Sequence, residues 1–229
     1  GNGDDSGLSL AELNEYRRKN CRVNEAPIPV GNCAGPAFGV GSTGVDLNRN
    51  YGTFWGGPGS SSDSTSEIYH GVHCTNDEPV KGSGCGPFSE PETEAIRRLI
   101  SGHQVTTLIT NHTFAELVLR APGLKSQGLA PDEAAMKDLG DRMACENGYA
   151  SQYGWQLYDT TGTTEDWSYN VTGGYGYTFE IGSDGGDFHT SFPVHVNAQY
   201  EGTSAAATAP ADRDRVAAEA CGCEPIARA

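Results

Sequence analysis

SEPETEAIRRLISGHQVTTLITNH, residues 89–112, is the stretch whose reading decides the fold. Its first half predicts a helix. Ser89 can cap, Pro91 fits the first turn, and Glu92 sits at the capping-box position. Ala95, Ile96, Leu99 and Ile100 recur at helical spacing and predict the apolar face. The β-branched run from Val105 to Thr110 then predicts a buried strand. Asn111 and His112 follow it directly, at the end of a strand where functional groups of α/β proteins gather. A histidine there is a ligand or catalyst, or else a hydrogen-bonded structural residue.

Outward from this stretch the alternation continues. Residues 8–19 have helical propensity around Leu8, Leu10 and Leu13. Pro131 to about Glu146 predicts a second helix with Ala134, Met136, Leu139 and Met143 inward. Tyr175 to Ile181 predicts another strand, and a weak Ala-rich helix runs from Pro210 to Ala220. Helices alternating with strands indicate an α/β layered sheet. Residues 56–87 are a long Gly/Ser-rich connection, of a length that is functional or an insertion.

With 229 residues the chain suits one sizeable domain, and 31 glycines and 12 prolines make it loop-rich. No stretch approaches the roughly 18 apolar residues of a membrane span. A net charge of −15 argues against nucleic-acid or anionic-membrane partners, which need a basic patch. It fits a secreted protein, one that attracts basic substrates, or simple solubility. Of seven cysteines, Cys21/Cys33 and Cys74/Cys85 bracket short turn-rich loops without CxxC spacing. Disulfides in an oxidising compartment are the better reading. Cys145 is left to pair with Cys221 or Cys223, with one thiol over.

Three further features carry chemistry. Asp46-Leu47-Asn48-Arg49-Asn50 sets an Arg beside an Asn, which can grip a carboxylate through paired guanidinium donors and an amide. A polar turn with a surface ion pair reads the same residues equally well. Glu180 sits late in an aromatic strand, opposite in face to Phe179 and Ile181, either paired structurally or held as a base. Tyr158 to Trp167 is a turn-rich loop ending at a short capped helix, a mobile lid or a polar crossover.

Together these segments resemble the M14 zinc carboxypeptidases, most closely their secreted bacterial members. The match runs in order over roughly residues 16–200: 16–20, 44–51, 86–92, 110–113, 162–169 and 177–180. The resemblance implies a three-layer α/β/α fold with a mixed, mostly parallel sheet. Residues 1–229 are expected to be a single partial catalytic domain without its N-terminal strands, with 201–229 as a C-terminal extension. It implies that His112 is a zinc ligand and that Glu180 moves the proton from the metal's water to the leaving amine. Asn48 and Arg49 would hold the substrate's terminal carboxylate, and Tyr158 would close over it. Arg18 would stabilise the oxyanion. Glu165 occupies the position that meets the C-terminal side chain, and an acid there would favour Lys or Arg. The helix dipole at that position also favours an acid. The implied protein is extracellular and monomeric, and acts on peptide or protein C-termini.

One departure stands out. The family's other two zinc ligands come from a His-x-x-Glu motif, and none occurs in the chain. His70 and His73 have His-x-x-His spacing but lie in the Gly/Ser-rich connection and read as surface residues. Two explanations compete: the sequence starts after the motif, as its opening Gly1-Asn2-Gly3 suggests, or the protein is a metal-free relative that binds C-termini without cleaving them. The first predicts that these 229 residues alone are inactive and hold zinc poorly. A serine hydrolase finds no Gly-x-Ser-x-Gly here, and a glycosidase would leave Asn48, Arg49 and His112 without a purpose.

Overall fold

The computed structural model describes residues 17–20, 44–74 and 85–182, with six helical positions between 193 and 203. The chain forms two compact units, Gly1–Val105 with Tyr158–Gly173, and Thr106–Leu157 with Gly174–Ala229. The expected helices at 8–19 and 210–220 and the Cys21/Cys33 pair fall outside the described residues, except for 17–20, which are not helical.

The second unit holds a mixed four-stranded sheet, β1 (Thr107–His112), β2 (Leu117–Arg120), β3 (Ala150–Tyr153) and β4 (Tyr175–Glu180), in the order β1-β4-β2-β3. β1 runs parallel to β4 and β2 parallel to β3, while β2 and β4 are antiparallel. Helix α2 (Glu133–Asn147) packs on β2 and β3. It ends where Gly148 turns left-handed (φ 75°) and its amide bonds the Ala144 carbonyl. Met136, Met143 and Ala144 are buried, and Met143 and Ala144 join Val118, Tyr177, Phe179 and Ile181 in the core. Full burial of a side chain such as Met143 contributes about 1.5–3 kcal/mol. Gly140 lets helix and sheet approach, since a Cβ there would stand 3.0 Å from Ser151 Oγ and 3.3 Å from the Tyr177 ring. Tyr177 in turn donates its hydroxyl to the Met136 carbonyl at 2.8 Å, and burial pushes its pKa upward.

Ala134, expected inward, is exposed, and Gly140 and Ala144 take the inner stripe instead. β1 begins two residues later than the β-branched run suggested and includes His112. It is only half-buried, because among the described residues it pairs on one side alone, with β4.

In the first unit, helix α1 (Pro91–Ser101) has Pro91 at its start as expected, but its N-cap is Glu90 rather than Ser89. Ser89 instead donates its hydroxyl to the Glu90 carboxylate and accepts from Asn50. The buried stripe is Thr93 and Ile100, while Ile96 is exposed and Leu99 is 56% exposed. The helix is rotated from its apolar face because the Thr93 hydroxyl is drawn inward by Asn50 Oδ1, at 2.7 Å. A second helix of this unit, α4 (Thr164–Thr172), packs against α1, and the one-turn α3 (Gly154–Leu157) belongs to the sheet unit.

Candidate active site

Arg49 organises the first unit. Asp46 caps the 3₁₀ turn Leu47–Arg49 by accepting from the Asn48 amide, and also accepts from Arg18 Nε at 2.7 Å. Arg49 is 1% exposed. Its Nε donates to the Gly59 carbonyl and its Nη1 to the Asn48 carbonyl, each at 2.7 Å, while Nη2 has no partner among the described residues. Asn48 Oδ1 accepts from the amide and hydroxyl of Thr164, at 3.0 and 3.1 Å. The Asn-Arg pair is thereby tied to the first turn of α4, where Glu165 lies buried. Gly162 fits between them with φ +70°, and a Cβ on it would stand 2.5 Å from the Arg49 carbonyl oxygen. Tyr158 is half exposed.

Asn50 was not singled out by residue type, yet it is the hub of this unit. Fully buried, it donates to the His70 carbonyl at 3.0 Å and to Ser89 Oγ at 2.9 Å, and accepts from Thr93 Oγ1 and the Glu90 amide. Its place in the Asp46–Asn50 run was the only signal, because its partners lie 20 to 43 residues away. Asn20 works alike, joining the Val45 amide to the Glu90 carboxylate.

His70, expected at the surface, is 2% exposed, which corrects that expectation. The segment around it is bonded into the unit: the Asp46 amide meets the Tyr69 carbonyl, and Asn50 and Trp55 both donate to the His70 carbonyl. His73 is exposed as expected, and Cys74 and Cys85 form the expected disulfide. Cys145 is disulfide-bonded, and its proposed partners lie outside the described residues.

The second unit brings together His112 and Glu180. They are register partners at the ends of the parallel strands β1 and β4. Adjacent strands lie about 4.8 Å apart and register partners share a face, so both side chains leave the same side of the sheet. The Ile181 amide bonds the His112 carbonyl at 2.8 Å and the Ala115 amide bonds the Gly182 carbonyl at 3.0 Å, fixing both strand ends. Glu180 is 7% exposed. The chain leaves His112 through a cis Thr113–Phe114 peptide and a left-handed Glu116 (φ 57°), a conformation non-glycine residues adopt only when their surroundings enforce it.

The metal that the resemblance implies needs three protein ligands and an open position at a catalytic site. His112 fits as one imidazole ligand. Among the described residues no group of three or more His, Cys, Asp or Glu side chains could hold a metal ion. The described residues therefore do not supply a whole zinc site.

The first unit orders an Asn-Arg pair at a helix start, and the second sets a histidine beside a buried glutamate at the ends of two parallel strands. The chain belongs to the zinc carboxypeptidase (peptidase M14) family, whose sequence profile matches residues 11–202. Similar proteins include carboxypeptidase A5 of Macaca fascicularis, 30% identical over 154 residues, covering 64% of this chain and 32% of that protein. Carboxypeptidase A1 of Sus scrofa is 32% identical over 149 residues, covering 62% and 32%. The chain thus spans about a third of the length of the relatives it matches. Among solved structures, bovine thrombin-activatable fibrinolysis inhibitor in complex with tick carboxypeptidase inhibitor matches with a TM-score of 0.60 and 25% identity, over 82% of this chain and 59% of that one. The expected carboxypeptidase-like fold with its mixed, mostly parallel sheet is the fold found.

Proposed function

We propose that the intact protein is a zinc-dependent exopeptidase that removes C-terminal residues from peptides, with a preference for Lys or Arg. The observation that carries this reading is the buried guanidinium of Arg49. Two of its nitrogens are spent on backbone carbonyls and Nη2 has no partner among the described residues, which suits it to take an anion. A peptide's terminal carboxylate matches that need, and docking it there makes the enzyme an exopeptidase. His112 would be one zinc ligand, and Glu180, rigid on its strand, would carry the proton that the leaving amine requires. Arg18, oriented by Asp46, would face developing negative charge, and Tyr158 would cover the bound end. Glu165, buried at the start of α4, supports the basic preference, as does a chain charge of −15. An extracellular setting is supported by the Cys74–Cys85 disulfide. We read the protein as a monomer with peptide or protein C-termini as partners and with no nucleic-acid or membrane partner.

The test uses the intact protein and peptides ending in Lys, Arg or Leu, each with a free or amidated terminus. Cleavage is expected only with the free terminus, fastest after Lys or Arg, and Glu165→Gln should remove that preference. Faster cleavage after Leu would end the basic assignment, and equal cleavage of amidated peptides would end the role of Arg49. Tight binding of free C-termini by a protein that holds no zinc and cleaves nothing would establish the metal-free reading instead.

A further inference from the structure

Trp55, His70 and His73 form a cluster inside the first unit. The two imidazole centroids are 5.0 Å apart at an interplanar angle of 87°, and the Trp55 ring lies 4.7 Å from His70 and 4.5 Å from His73. Nε2 of His70 and the Cε1–Nε2 edge of His73 both lie close to Gly56. A Cβ built on Gly56 would stand 3.6 Å from Nε2 of His73 and 3.9 Å from Nε2 of His70. Gly56 has φ +74°, which favours glycine, so the space before the two nitrogens stays clear of a side chain. His70 is almost wholly buried. Burial first, and then the neighbouring His73, hold its pKa below the ordinary histidine value, which leaves it neutral with a lone pair to offer.

We propose that His70 and His73 form a second metal seat that takes one late first-row divalent cation, Cu²⁺ or Zn²⁺, through their Nε2 atoms, with water completing the coordination. Imidazole nitrogen suits these ions. The described residues add no third protein ligand, so the seat is weaker than a structural zinc site and fills and empties with metal supply. One turn of chain away, the Gly59 carbonyl accepts from Arg49 Nε. An ion on the two histidines would therefore stiffen the loop that holds Arg49. The proposal does not depend on the peptidase reading.

The test is a Cu²⁺ titration of the intact protein followed by tryptophan fluorescence, because Trp55 touches both rings and a bound Cu²⁺ would quench it. Saturable quenching at one equivalent is expected, reversed by excess Zn²⁺. His73→Gln alters an exposed side chain and leaves the fold in place. It removes a direct ligand, so it should weaken binding by at least the roughly 10–100-fold that loss of an outer partner costs. Trp55→Phe should abolish the signal while calorimetry still records binding, and His112→Ala should leave the quenching unchanged. Quenching that rises without saturation, or that His73→Gln leaves intact, overturns the proposal.

Discussion

Asn50 shows how much can rest on one residue. It meets a carbonyl, two hydroxyls and an amide, three of these bonds fully buried. Asn50→Ala leaves the Glu90 amide without that partner, while the His70 carbonyl keeps Trp55, Ser89 keeps the Glu90 carboxylate and Thr93 keeps the Glu90 carbonyl; we expect a loss of about 2 kcal/mol in urea unfolding. Gly162 offers a second case. Gly162→Ala must hold a left-handed backbone and displace the Arg49 carbonyl, so a cost of about 2 kcal/mol is expected. Since Arg49 then shifts, KM for free C-terminal peptides should rise more than kcat falls. Glu180→Gln should act oppositely, lowering kcat by about 10²–10⁴-fold with KM little changed, as expected when a proton carrier is removed.

In α1, Glu94 is paired with Arg97 at 2.5 Å and with Arg98 at 2.8 Å. The Arg97 hydrogen bond, aided by Arg98, holds the Glu94 carboxyl down to about 2. A carboxylate whose folded pKa lies below its unfolded value stabilises the fold above the unfolded value, near 4.5, and that stabilisation is lost as the pH falls toward 2. Both pairs lie at the surface and are screened, so the contribution is about 0.5 kcal/mol. Glu94→Gln should lower stability by that amount at neutral pH and by progressively less as the pH falls from about 4.5 through 2, as read from thermal unfolding across this range.

Helix α1 also marks the limit of legibility. Its existence and start followed from Pro91 and the local pattern, because those are decided within a few residues. Which face it buries was decided by Asn50, 43 residues before Thr93, and local periodicity does not contain that contact. β4 was legible nearly to the residue, since its aromatic run is buried almost throughout, on both faces. His112 and Glu180 were legible as candidates, but their register depends on the β1–β4 pairing across 68 residues. The burial of His70 was hidden for the opposite reason: a Gly/Ser-rich segment looks like loop even where its backbone is bonded into the unit.

At the scale of the whole molecule, the metal is the decisive count. A preparation holding only these 229 residues should carry well under one zinc per chain, whereas the intact protein should carry one tightly held ion at the catalytic site. Elemental analysis after gel filtration separates the two, and stoichiometric zinc on the 229 residues would refute the expectation. The Cys74–Cys85 bridge closes a span of 11 residues, and on the loop-entropy view a bridge of this size is worth about 2–3 kcal/mol, so reduction should lower the melting temperature measurably.

The bond from the Ile181 amide to the His112 carbonyl reaches beyond the sheet. Deuterium can enter that amide only when β1 and β4 part. Exchange at Ile181 therefore times how often the proposed metal ligand and the proposed base lose sight of each other. If it is among the slowest protons of its unit, the reacting groups are held fast through turnover and the peptide must do the moving.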